Sequence, residues 1–459
     1  MEEPTSDNVD PAVAAGQPVG EKQAASAELH LASPPLANDR AFWGMTATQF
    51  FGAFNDNVFK QILLLIFATI PAGNGKTVDY QWLATLMFAL PFILFSGFAG
   101  FLSDRFNKRL MIVLCKVGEI VIMSLGVVAF YIYARTGMTA ALMGALCAIL
   151  FCMGGQSAFF GPGKYGILPE MLRRRDLPSA NGVILMTTFL AIILGSALAG
   201  ELKQTFQSRL WVAGGICVGI AIVGTMTSLL LRNPPAARPG LRFTAGALGV
   251  PGDLLQLLWK DRALRAAVVV STIFWMTAAL VQMAVNSLGL RQLGLGDRRT
   301  SILVSLISLG IAIGCAIAGV ASKNRFNTKL MRIGIWGMVV CLVGLAIPAP
   351  APRNHLLGFA GSIVALIALG SFTGMFAVPL QVFMQSRPPE GFKGRMIATQ
   401  SLLNWIGITM SAGLYFAADK VCRRFDAPPS TVFYVTAAFM LAVGLCYHPQ
   451  DASLEGDKG

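Results

Sequence analysis

Twelve apolar runs of roughly twenty residues each constrain this chain more than any other feature. They fall at 41–70, 80–102, 110–134, 138–160, 179–202 and 210–231, then at 264–289, 301–321, 330–349, 356–378, 396–418 and 430–447. Each is long enough to cross a hydrocarbon core of about 30 Å as a helix rising about 1.5 Å per residue. Inside lipid a segment must satisfy its own backbone groups, and a helix does so. The expected fold is an all-α membrane protein with twelve transmembrane helices. Only 13% of the residues are charged, against about 25% in soluble proteins.

The runs group into two six-helix halves, 41–231 and 263–448, joined by a cytoplasmic linker at 232–262. The linker is rich in Pro and Arg and holds a short amphipathic piece, "DLLQLLWK". Residues 1–40 are acidic, rich in Ala and Pro, and read as a disordered cytoplasmic tail; 449–459 form a second tail. No basic stretch followed by an apolar one marks a signal peptide, so the first span is expected to direct insertion. With the N-terminus inside, loops on its side carry about 20 Lys and Arg and the opposite loops about 11, which places both termini in the cytoplasm. Topology thus accounts for the net charge of +13. No basic stripe with interleaved aromatics points to nucleic acid. The eight cysteines show no CxxC and no Cys/His pairing, so no disulfide framework, metal or cofactor is indicated; Cys422 alone reads as a loop residue.

The chain repeats. "RFNKRLM" at 105–111 returns as "RFNTKLM" at 325–331, with five of seven letters identical, after the second run of each half. "FFGPGKYGILPE" (159–170) has a weaker echo in "FAVPLQVFMQSR" (376–387). Both offsets are about 220 residues, which argues for two parallel repeats. The loop "GFLSDRFNKR" (100–109) resembles the G-x-x-x-D-R-x-G-[RK]-[RK] signature of the major facilitator superfamily, with Asn107 for the usual Gly. Gly100 permits close helix approach. Asp104 is placed to accept hydrogen bonds from Arg105, Arg109 or a facing helix N-terminus and so latch one conformation. Lys323 and Asn324 stand where the second half would carry that acid, so the latch is expected in the first half alone. The simpler reading makes Arg105, Lys108 and Arg109 topology signals. The spacings Gly215/Gly219 and Gly310/Gly314 read as internal helix packing, and a monomer is expected.

Polar groups interrupt the first span in "FFGAFNDNVFKQ" (51–62). Asp56 lies roughly 22 Å along that helix and Lys60 shares its face one turn on. A lipid-facing charge there costs about 2.5–3.5 kcal/mol, so both should face the bundle interior. "CKVGEIVIM" sets Lys116 and Glu119 three apart on the third span. Asn57, Asn181, Gln282, Asn286 and Asn404 are further buried polar candidates. Two readings stay open. In one, Asp56–Lys60 and Lys116–Glu119 neutralise each other in a structural network. In the other, Asp56, Asn57, Lys60, Lys116 and Glu119 line a midplane cavity for a zwitterion. Pro162 and Gly163 should break the inner end of the fourth span, making with Gly161 and Gly166 a hinge or a plain helix terminus.

"GAFNDNVFK", "KVGEIVIM" and "FFGPGKYGILPE" followed by "ANG" (180–182) resemble the bacterial lysophospholipid transporter family within that superfamily. The resemblance covers spans one to five; the second half matches only as a generic facilitator. Its most specific part is the P-x-K-Y-G-x-L-P-E string of Pro162, Lys164, Tyr165, Gly166, Leu168, Pro169 and Glu170. Leu185 departs from it, standing where relatives often carry a carboxylate. The resemblance implies alternating-access movement of a lysophospholipid, such as lysophosphatidylethanolamine, from the outer to the inner leaflet of the inner membrane for re-acylation. It implies headgroup handling by Asp56 and Asn57, and adds Lys164, Tyr165, Glu170 and Asn181 to a gating set of Gly100, Asp104, Arg105, Arg109 and Pro162. The expected partners are the lipid substrate and a separate acyltransferase. Lys60 or Lys116 would take phosphate, Asp56 or Glu119 ammonium. Phe51, Phe54 and Phe59 would line an acyl slot or pack between helices.

An enzyme is not expected. His30, His355 and His448 sit in no H-x-x-x-x-D arrangement, and no P-loop is present. The rival is a proton-coupled transporter or exporter of a small solute or drug, with Asp56 or Glu119 carrying the proton.

Overall fold

The computed structural model describes residues 34–71, 77–173, 176–234, 240, 252–322, 327–350, 355–389 and 393–447. Twelve of its helices are long and apolar enough to cross a membrane. The first half comprises α1 (Arg40–Phe67), α2 (Gln81–Arg105), α3 (Lys108–Thr136), α4 (Ala140–Met171), α5 (Leu177–Thr205) and α6 (Trp211–Ser228). A short helix, α7 (Gly252–Lys260), precedes the second half. That half comprises α8 (Arg262–Ser287, continued as a π turn to Gln292), α9 (Asp297–Ser322), α10 (Thr328–Ala346), α11 (Gly358–Ser386), α12 (Lys393–Arg424) and α13 (Val432–Cys446). A two-stranded antiparallel ribbon, β1 (Ile70–Pro71) and β2 (Thr77–Val78), joins α1 to α2. The face where α1 begins is called the near face below, and the opposite one the far face.

The helices pair in the same pattern twice. In the first half α1 packs on α5, α2 on α4 and α3 on α6. In the second half α8 packs on α12, α9 on α11 and α10 on α13. The halves meet through α5 on α9 and α2 on α12, positions the repeat relates to each other. Each half has its own core, built around Phe59, Ile62, Phe130 and Leu150 in the first and Leu280, Met331, Phe376 and Phe433 in the second.

The repeated "RFN" has a local cause. The Asn107 side chain accepts from the Leu110 N–H at 3.1 Å, and Asn327 accepts from Leu330 at 3.0 Å. Each asparagine caps the third span of its half, satisfying an N–H that has no intrahelical partner. Asn107 therefore serves as a cap at the place where the signature has Gly.

Four sequence expectations need correction. α4 does not end near residue 160; it continues through Pro162 and Pro169 to Met171. Each proline removes one intrahelical donor, and a surrounding bundle tolerates that loss. Cys422 lies inside α12, with its Sγ 3.0 Å from Thr431 Oγ1. Gly310 and Gly314 do pack closely, on the backbone of Gly370 and Ser371, but Gly215 and Gly219 face open space on α6. Asn181 is exposed and donates to the Leu177 carbonyl at 2.9 Å, one turn back on its own helix. The expectations for residues 1–33, for Lys323 and Asn324, and for most of the linker and the C-terminal tail lie outside the described residues.

Candidate functional site

α1 sorts its polar residues onto two faces. Asn55 is fully buried and donates to Glu119 Oε1 at 2.7 Å. Glu119 Oε2 accepts from Lys116 Nζ at 2.6 Å, and both charged side chains are only 1% exposed. Lys116 Nζ also lies 5.2 Å from the centre of the Phe160 ring. Gly52 makes this possible: a Cβ there would collide with the Lys116 ammonium. The two charges predicted on the third span are therefore together, matched and sealed between α1 and α3.

The other face is half-buried. Ser157 of α4 donates to Asp56 Oδ2 at 2.6 Å. Asp56 Oδ1 is buried without a hydrogen-bond partner among the described residues. One turn on, Lys60 Nζ lies 5.3 Å from the Phe88 ring centre of α2. Asn57 donates to its own helix at the Ala53 carbonyl, 2.7 Å away. Phe88 continues into an aromatic wall, since Trp405 of α12 stacks on Phe92 at 3.6 Å between ring centres. Phe51 and Phe54 are half-buried, but Phe59 is fully buried against Phe130, so it packs between helices and lines no slot. Ser157, Phe88 and Trp405 were missed from the sequence. The polar "QS" inside the apolar "GGQSAFF" (154–160) was the available signal for the first.

At the far face a polar network joins the halves. Asp79, buried at the mouth of α2, accepts from Ser287 Oγ at 2.6 Å, Tyr415 at 2.8 Å and Arg291 at 3.2 Å. Arg291 also pairs with Asp419 at 2.8 Å. Gln61 donates to Asn286 at 2.8 Å, and Asn286 donates to Gln81 at 2.8 Å. Along the other seam Lys203 pairs with Asp297 and Arg298 with Glu201, at 2.7 and 2.8 Å. There a Cβ on Gly200 would lie 2.5 Å from both the Asp297 carbonyl and Ser301. Gln282 and Asn286 thus belong to the junction, while Asn404 bonds Ser271 within the second half at 3.0 Å.

The repeat-related helix pairing, with its seams at α2/α12 and α5/α9, matches a known architecture. A family model described as Major Facilitator Superfamily matches residues 45–412. The chain belongs to the Major Facilitator Superfamily. It is 27% identical over 400 residues to a protein of Yersinia pestis (strain Pestoides F) named lysophospholipid transporter LplT, covering 85% of this chain and 89% of that protein. The protein of that name from Yersinia pseudotuberculosis serotype IB (strain PB1/+) matches equally. Among solved structures, peptide transporter POT in complex with sulfate superposes with a TM-score of 0.64 at 13% identity, covering 92% of this chain and 96% of that one. Nucleoside transporter NupG gives 0.62 at 12%, covering 88% and 97%. At those identities the two structures speak for the fold alone. This facilitator is a multi-pass membrane protein.

The superfamily's signature loop is unlatched here. Asp104 is exposed and makes no hydrogen bond or ion pair among the described residues. Arg105 lies over Phe101 and Phe106, with 5.9 and 5.5 Å to the ring centres. Arg109 donates to the carbonyl of Leu229, the C-cap of α6, at 2.9 Å. An ion pair of this region is Lys108 with Glu170, joining α3 to the end of α4. Lys164 lies 4.6 Å from the ring centre of exposed Tyr165, and a Cβ on Gly100 would meet nothing within 4 Å. Of the gating set, Arg109 and Glu170 are held by partners outside their own helices, Leu229 and Lys108, pairings that sequence reasoning did not name.

Proposed function

We propose that this facilitator moves lysophospholipid from the outer to the inner leaflet of the bacterial inner membrane by alternating access, with both termini in the cytoplasm. The observation that carries this reading is the Asp56–Lys60 face. It presents opposite charges one turn apart, half-buried, with Asp56 Oδ1 free to accept. A headgroup bearing phosphate and ammonium needs that combination. The wall of Phe88, Phe92 and Trp405 beside it suits an acyl chain. The names of the Yersinia relatives support the same substrate class.

In this reading the far-face network is the closed external gate, and the unlatched Asp104 belongs to the inward-facing state. Lys116 and Glu119 hold the reverse side of α1 and serve the headgroup through position rather than contact. A separate acyltransferase consumes the product inside.

The test is leaflet-resolved transfer of labelled lysophosphatidylethanolamine into proteoliposomes holding the full chain. Wild type is expected to transfer above empty liposomes, and Asp56→Ala to lose at least about tenfold, the scale of one lost charge-assisted contact. No transfer by folded wild type overturns the lipid reading. Full activity in Asp56→Ala overturns the site alone.

A further inference from the structure

A separate candidate surface lies at the near face, where α7 meets α8. Asp261 is the only residue between α7 and α8, and it caps α8 by accepting from Ala263 and Leu264, both at 3.0 Å. Since α8 is a span, the end of α7 is pinned at the near-face surface. Leu254 and Leu258 of α7 are buried in the second half's core, which fixes the rotation of the helix. The flank about 100° around the helix turns Leu255 and Trp259 outward, and Trp259 is 74% exposed. The indole is held there by Arg265, whose guanidinium carbon lies 5.3 Å from the ring centre while its Nη1 donates to the Trp259 carbonyl at 3.1 Å. An indole fixed outward at this depth suits the headgroup layer, where one edge is apolar and the other wet.

At the α7–α8 junction lies a surface cavity of about 490 Å³ lined by Leu257, Lys260, Asp261, Arg262, Ala263 and Arg387. Three cations face one carboxylate. Arg387 takes that carboxylate at 2.8 Å. Lys260 and Arg262 are exposed and form no ion pair among the described residues. The cavity therefore offers uncompensated positive charge at the level of lipid phosphates.

We propose that α7 and this cavity bind an anionic glycerophospholipid of the surrounding leaflet. Lys260 and Arg262 hold its phosphate, and Trp259 and Leu255 lie against the start of its acyl chains. Arg262 supplies the planar fork that pairs with a phosphate through two parallel bonds. The site is independent of what the transporter carries. It ties the second half to one leaflet while the first half is free to rock.

The test uses the full chain in phosphatidylcholine vesicles containing either brominated phosphatidylglycerol or brominated phosphatidylcholine. The Trp259 signal is the difference in emission between wild type and Trp259→Phe. Brominated phosphatidylglycerol is expected to quench that signal at a much lower mole fraction. A cation near an anionic surface contributes about fivefold, so Lys260→Gln/Arg262→Gln should lower the preference about twentyfold. The variant's quenching by phosphatidylcholine should stay unchanged, which also shows that it is folded. Equal quenching by both lipids, or none, overturns the proposal; none is the result if a soluble protein or a second copy covers α7. A preference that survives the double substitution overturns the assignment to these cations. Loss of the preference in inorganic phosphate, but not in chloride of equal ionic strength, identifies a free anion as the ligand and overturns the lipid.

Discussion

Asn55 and Asp56 are neighbours in sequence with opposite fates. Asn55 turns toward α3 and completes a sealed cluster with Lys116 and Glu119. Asp56 turns toward α4, bonds Ser157 through one oxygen and keeps the other free. The two clusters share a helix, a membrane depth and a set of charges. What separates them is saturation. Charges removed from lipid and water must stay matched, and both oxygens of Glu119 are taken inside the sealed cluster, whose acceptor without a partner among the described residues, Asn55 Oδ1, is uncharged and fully buried. A spare acceptor in a half-buried wall is what a ligand can use. An intramembrane charge therefore marks a binding site only when its partners leave something over.

The largest expected effect breaks the sealed side. Lys116→Met leaves Glu119 buried and unpaired, and should cost about 3–5 kcal/mol of stability. Chemical unfolding in detergent measures this, and adding Glu119→Gln should recover much of the loss. Next comes Gly52→Val, which pushes a branched side chain into the Lys116 ammonium and should cost about 1–3 kcal/mol by overpacking. On the open side Asp56→Ala should cost only about 1.5–3 kcal/mol, the worth of a hydrogen bond from Ser157 to a charged group, while transport collapses. A stability loss as large as that of Lys116→Met would erase the distinction between the clusters.

The smallest effect calibrates both against a pair in water. Burial would raise the Asp261 carboxyl, but Arg387 and the N–H groups of Leu264 and Ala263 outweigh it and hold the group below its ordinary value. Its contribution is then fully present above the ordinary carboxylate range and is lost as pH falls through the depressed value. Exposed pairs are worth about 0–1 kcal/mol. Asp261→Asn should flatten that acid limb of the stability profile by no more than this, as melting temperatures across the acid range would show.

The spans and the two halves were legible because length and hydropathy repeat on a scale that the bilayer sets. Placement of Asp56 and Lys60 inside the bundle was legible from cost alone. Whether a charge was saturated was not, since Glu119 meets Asn55 only when α3 packs on α1. The far-face junction was equally hidden. Asp79, Ser287, Arg291, Tyr415 and Asp419 come from three distant segments, and none stands in a motif. The lone acid in "TVDYQW" (77–82) was the faint sign. Asn181 was misjudged because a polar residue near a helix start caps and faces outward as readily as inward.

The unbroken run of α4 through two prolines has a mechanical consequence. At 32 residues it is about 48 Å long, well beyond a hydrocarbon core of about 30 Å. Its near end, with Lys164, Tyr165 and Glu170, therefore reaches past the acyl chains. Arg232, just past α6, donates to its last carbonyl, at Met171, and Lys108 pairs with Glu170, which ties this end to the base of α3 and to the chain leaving α6. A tilt of about 10° around the level of Ser157 would carry that tip by several ångströms while Asp56 barely shifts.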